Sequence, residues 1–260
     1  MIQTSTQAYQ RDRRVVIAGI VLISLLSWVY LFVIAAPSPV DHTLAHAAMH
    51  PAVAPWDGGF LALSIVMWSV MMIAMMLPTA TPMVLSFTRL QHQREARSKA
   101  IRLTGWFSAG YLGIWIVFSL MAAFAQWALY SSNLMTSAMG SATPLMAGAL
   151  LVAAGLFQWS GLKEACLSKC RSPLNFLLNE WRPGSSGALI MGLRHGIFCV
   201  GCCWVLMLLM FVGGVMNLAW MAAITIYVLL EKILPSVRMF ASWTGVLLVF
   251  AGALVLWLGT

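Results

Sequence analysis

From Val15 to Ala35 the chain reads VVIAGIVLISLLSWVYLFVIA, twenty-one residues without a charge. About 20 such residues in a helix cross the hydrocarbon core of a bilayer. Apolar runs of comparable length recur to the end of the sequence. In hydrocarbon the backbone must satisfy its own hydrogen bonds, which leaves helices or closed barrels. The runs are continuous rather than alternating, so the predicted fold class is all-α, a polytopic membrane helical bundle. Charged residues make up 8% of the chain, against about 25% in soluble domains. No intervening stretch is long enough for a soluble domain, so residues 1–260 are expected to form one integral membrane domain. The first run also exceeds the roughly 7–15 apolar residues of a secretory signal, and is read as an uncleaved span.

Seven transmembrane helices are predicted, at about 15–35, 60–88, 104–130, 143–160, 188–213, 216–232 and 240–258. The pair Gly213-Gly214 is expected to turn the fifth into the sixth. With the N-terminus cytoplasmic and the C-terminus outside, the inner segments are 1–14, 89–103, 161–187 and 233–239. These segments and the adjoining helix ends carry all 15 Lys and Arg residues, as the positive-inside rule requires. Dropping the fourth helix would send the group from Lys163 to Arg182 outside. Merging the fifth and sixth would send Lys232 and Arg238 outside. The net charge of +8 is thus a topology signal and no argument for nucleic acid. Lys163 and Glu164 read as interfacial charges, and Glu231 beside Lys232 as an interfacial ion pair rather than a proton or ion step. Gly105, Gly110, Gly113, Gly192 and Gly196 read as helix-packing positions.

The most unusual stretch is RHGIFCVGCCWVLMLLM, residues 194–210. On an ideal helix Met191, His195, Cys199, Cys202, Cys203 and Met210 share a face about 120° wide. Arg194 marks the inner boundary, which puts the cysteines near mid-membrane. A single buried cysteine is ordinary packing, but three within five residues beside a histidine point to ligation or redox chemistry. Cys166 and Cys170 form a second pair at i, i+4 spacing. In a reducing compartment such a pair is more readily metal-binding or catalytic than a structural disulfide. The second helix carries Met67, Met71 and Met75 in one stack with Met72 and Met76 beside them. Thioethers and thiolates select Cu(I), whereas zinc would use the Cys and His but not the Met. Pro78 and Pro82 are expected to distort the end of this helix. Between the first two helices, on the outside, His42, His46 and His50 recur every four residues, a spacing that suits a labile capture site or a solvated loop.

The segments MWSVMMIAMMLP, GLFQWSGLKEACLSKCRSP and GIFCVGCCWVLMLLMFVGGVMNLAWMAAITIYVLLEK together resemble a bacterial domain-of-unknown-function family described as predicted metal-binding integral membrane proteins. The resemblance covers roughly residues 60 to 235. It implies metal binding, suggests copper handling in a bacterial inner (cytoplasmic) membrane, and settles no reaction. It does not reach the outer histidines.

The leading expectation is Cu(I) capture and transfer, with His195, Cys199, Cys202, Cys203 and the methionines of the second helix as ligands. Delivery would be to a partner metalloprotein, along a route from the outer histidines through the thiols to Cys166 and Cys170. No ATP-binding element is visible, and a binding or transfer role is expected rather than catalysis. One alternative is a transmembrane thiol–disulfide protein using Cys199/Cys202 and Cys166/Cys170. Another is an accessory or assembly subunit of a larger membrane complex. Bis-histidine haem is a poor fit, because His195 is the one histidine clearly within a span.

Overall fold

The computed structural model of the chain describes residues 2–35, 58–135, 141–234 and 237–259. Ten helices follow one another in these segments: α1 Ile2–Ala35, α2 Gly58–His92, α3 Arg97–Ser131, α4 Pro144–Phe157, α5 Gly161–Arg171, α6 Pro173–Asn179, α7 Gly184–Leu208, α8 Met210–Gly213, α9 Leu218–Ile233 and α10 Val237–Gly259. The all-α expectation holds. His42, His46 and His50 lie outside the described residues.

All seven expected helical stretches are helical, but they differ in length. Five are long and apolar enough to cross a membrane: Gln10–Ala35, Gly58–His92, Ser98–Ser131, Gly184–Gly213 and Arg238–Gly259. The fourth stretch breaks after Phe157 and resumes as α5 with a bend of 65°. Counted together, the bent pair gives a sixth candidate span. The break has a local cause: Ser160 caps α5 by accepting from the Lys163 backbone N–H at 3.1 Å. Helix α9 has 16 residues, about 24 Å at 1.5 Å per residue, which is short of a bilayer core. Gly214 sits at φ +92° at the turn between α8 and α9, a conformation open to glycine. Pro78 and Pro82 do not end α2, which continues through both to His92.

Helices α2 and α7 form the centre. In each, 56% of the most apolar window is buried, against 22% in α1 and 17% in α10. Helix α3 packs along α7, α2 on α3, α1 on α2, α5 on α7, and α4 along α10. Glycines set the closest approaches. A Cβ on Gly192 would stand 2.0 Å from the Phe107 carbonyl oxygen, and one on Gly110 2.3 Å from that of Leu189. In the α4–α10 pair Gly148 opposes Gly252 and Gly155 opposes Gly245. The equal spacing of seven residues, met in reverse order, requires an antiparallel pair. Lipid offers no hydrophobic drive between helices, so such backbone proximity is the main source of attraction. Of the packing glycines expected from sequence, Gly110, Gly192 and Gly196 serve this role, whereas Gly105 has open space around it.

Side-chain contacts gather the basic ends of the helices. Asp12 pairs with His92 at 3.0 Å. Arg94 lies over the Trp181 ring at 4.4 Å. Arg194 pairs with Glu180, Arg171 donates to the Leu234 carbonyl, and Glu164 stands 3.5 Å from Arg238.

Candidate metal centre

Helix α7 turns one face inward, and that face is the one expected from the 100° repeat. Met191, His195, Cys199, Cys202, Cys203 and Met207 are all buried along it. Helix α5 packs against this face. Its own buried stripe is Lys163, Cys166, Leu167 and Cys170, the i, i+3, i+4, i+7 pattern of a helix with one covered side. Gly201 lets the two helices close, since a Cβ there would meet the Cys166 sulfur at 2.7 Å.

The result is a knot of thiols. All five cysteines are free. The thiol of Cys199 interacts with those of Cys170, Cys202 and Cys203, and Cys170 also interacts with Cys202. The Cys202 and Cys203 thiols donate in addition to the Cys199 carbonyl oxygen at 3.1 and 2.9 Å. Cys166 is close enough to Cys202 for the two to interact electrostatically. Helix α3 contributes Tyr111, whose hydroxyl donates to the Met76 carbonyl at 3.0 Å and lies 3.3 Å from the Cys199 sulfur. Helix α9 contributes Lys232, whose ammonium donates to Cys199 Sγ at 3.2 Å and to Thr79 Oγ1 at 2.8 Å.

His195 is 1% exposed, and among the described residues neither ring nitrogen has a hydrogen-bond partner. Its ring stacks between aromatic neighbours, with Tyr111 at 5.4 Å and Phe107 at 6.1 Å between centroids. A buried polar group left unpaired costs about 1–3 kcal/mol, which is tolerable where the group serves a ligand. His195 also lines a small cavity of about 40 Å³ with Thr79, Met83, Cys170 and Lys232. That volume exceeds the roughly 10–15 Å³ a single water needs. One thiol (Cys170), an imidazole and a thioether line it, donors that suit a soft metal ion. Among the described residues, no three His, Cys, Asp or Glu side chains stand in an arrangement that could hold a metal ion. The donors are therefore gathered in one place without forming a closed cage.

Cys199 lies five residues past Arg194, about 7.5 Å along the axis, and is met by the last turns of α5 and α9. Two expectations need correction. Lys163 is not interfacial but 2% exposed, and pairs at 2.6 Å with Glu231, itself 2% exposed. Lys163 also donates to Gln158, and Tyr227 donates to Glu231 at 2.7 Å. Hence Glu231 and Lys232 are not each other's partners: adjacent residues on a helix point about 100° apart. Glu164 does stay half-exposed, beside Arg238.

Met67, Met71 and Met75 are all buried in α2, at increasing nearness to Thr79, the α2 residue bonded to Lys232. Met67 precedes Thr79 by twelve residues, about 18 Å along the helix. The methionines that reach the site are Met76, through its carbonyl, and Met83, at the cavity. Tyr111, Thr79, Met83 and Lys232 were missed in the sequence. For Lys232 a signal existed, since an ionisable residue closing an apolar run is a functional candidate by default. For the others none did.

A family model described as PpoB2, copper chaperone, matches residues 65–255. No curated protein and no solved structure matches the chain.

Proposed function

Because the chain belongs to the PpoB2 copper chaperone family, we propose that it binds Cu(I) at the thiol cluster within a bacterial inner membrane and passes it to a partner metalloprotein. The observation that carries this reading is the meeting of Cys170 with Cys199 and Cys202, with Cys203 beside Cys199, next to an imidazole whose nitrogens have no hydrogen-bond partner among the described residues. Thiolates and thioethers are the donors that select Cu(I) over the commoner metals. A cluster of adjacent thiols passes an ion by ligand exchange: a new sulfur approaches before the old one leaves, so no deep trap forms. Each thiol must lose its proton to ligate, so loading releases protons. Cys166 is the step away from the buried cluster, and His42, His46 and His50 are the capture site on the outer side. Met83 replaces Met67 and Met71 as the thioether nearest the metal.

The membrane arrangement proposed with this function has seven spans, with the N-terminus inside. The convergence of the basic helix ends supports it, because these ends belong on one membrane face. The short α4 and α9 then cross with help from the bent α5 and the α8 turn.

The test is elemental analysis of the purified full-length protein after loading with Cu(I) under reductant. The unaltered chain should retain copper, C199S/C202S/C203S should lose it, and C166S/C170S should retain less. Undiminished copper in the triple variant overturns the proposal. A Cys199–Cys202 disulfide that cycles with reductant, in protein that takes up no copper, would replace it with thiol exchange.

A further inference from the structure

Lys232 is a lysine deep in an apolar bundle, 9% exposed, with no carboxylate beside it. Its sequence neighbour Glu231 turns to the other side of α9 and is committed to Lys163 at 2.6 Å. Among the described residues no acid pairs with Lys232. Two of its three N–H donors are used, one by Thr79 and one by the sulfur of Cys199. Its side chain lines the same 40 Å³ cavity as Cys170, His195 and Arg171; the Arg171 guanidinium donates to the Leu234 carbonyl, whereas the Lys232 ammonium is bonded to the ligand sulfur itself. An ammonium taken out of water needs an opposite charge close by; among the described residues the groups placed to carry one are the thiols and the Tyr111 hydroxyl, and of these the thiols are the more acidic.

We propose that Lys232 is a built-in counter-cation that makes the centre select a singly charged metal–dithiolate, and so Cu(I) over divalent ions. The inference rests on the copper-binding reading above. The argument is one of charge balance. Cu(I) held by two thiolates carries a net charge of −1, which the ammonium cancels. A divalent ion such as Zn(II) on two thiolates is already neutral and leaves the ammonium uncompensated in a medium of low dielectric. A third thiolate would restore the balance. The described residues offer no three-ligand arrangement, so zinc would have to rearrange the helices to obtain one. Thr79 accepts a second bond from the same ammonium, which helps hold the charge at the ligand sulfur. Lys232 is therefore a specificity-determining residue that acts through Cys199, not a ligand.

The experiment loads the full-length protein in detergent with equimolar Cu(I) and Zn(II) under reductant. The bound Cu/Zn ratio is then read for the unaltered chain, Lys232→Met and Lys232→Arg. Lys232→Met should shift the ratio at least tenfold toward zinc. Lys232→Arg keeps the charge and should stay within about threefold of the unaltered ratio, a rescue that a purely structural role would not give. Ag(I), with the same charge and softness as Cu(I), should follow Cu(I) in every variant. If Lys232→Met does not fold, Thr79→Val replaces it, with an expected shift of about threefold in the same direction. A ratio unchanged in the neutral variant, with copper still bound by the unaltered chain, overturns the role of Lys232 and leaves the copper reading standing. An unaltered chain that takes up no Cu(I) overturns both.

Discussion

Replacing Glu231 by Gln should be among the most destabilising single changes in this protein, although it changes almost no shape. The amide oxygen can still accept from Tyr227 and from Lys163, which now reach the carboxylate at 2.7 and 2.6 Å. Only the negative charge is lost. At 2.6 Å and an effective dielectric of about 20, Coulomb's law sets the attraction at about 6 kcal/mol. Part of that is returned, since a neutral amide is less costly to bury than a carboxylate. Measured losses on breaking buried pairs are about 3–5 kcal/mol, and that is the expected effect here. It is a large share of the roughly 5–15 kcal/mol that separates folded from unfolded chains. Chemical denaturation of the purified protein in detergent reads it directly. Adding Lys163→Met to Glu231→Gln removes the stranded ammonium, so the double variant should be more stable than Glu231→Gln alone. A single variant within about 0.5 kcal/mol of the unaltered chain would refute the reasoning. It would mean that water reaches the pair, through the cavity of about 330 Å³ lined by Gln158, Lys163 and Glu164.

Gly192→Ala should destabilise by at least 1–3 kcal/mol, because its methyl would sit 2.0 Å from a backbone oxygen and must push α3 away from α7. Gly113→Ala is the control: its nearest neighbour would be a side-chain methyl at 3.9 Å, so thermal denaturation should show no loss. If the proposed orientation holds, a cysteine at Lys99 should react with an impermeant thiol reagent from the cytoplasmic face, and one at Ser132 from the outer face. Labelling of both from one side would overturn the seven-span arrangement.

How much of this was legible in advance divides along a physical line. Hydropathy and helical period are local properties. They located each helical stretch, and they identified the face of α7 that carries His195, Cys199, Cys202 and Cys203. The same local reasoning paired Cys166 with Cys170 on one side of α5, and marked Gly110, Gly192 and Gly196 as close-packing positions. The motif resemblance pointed to a copper-associated family, and the match over residues 65–255 bears that out.

Which side chains meet across helices was a different matter. The stack of Met67, Met71 and Met75 looked like a ligand ladder, but a helix rises about 1.5 Å per residue, and only its far end approaches the thiols. Lys163, Glu231 and Lys232 looked interfacial because each stands at the end of an apolar run. The 65° bend after Phe157 swings α5 back onto α7, carrying Lys163 to Glu231 and Cys170 to Cys199. The sequence by itself determined the helices, their buried faces and the soft chemistry of one of them, since these follow from residue order along a single axis. The tertiary structure alone decided the partners. Charge pairing and thiol contact depend on the angle and register between axes, and a break of three residues sets both.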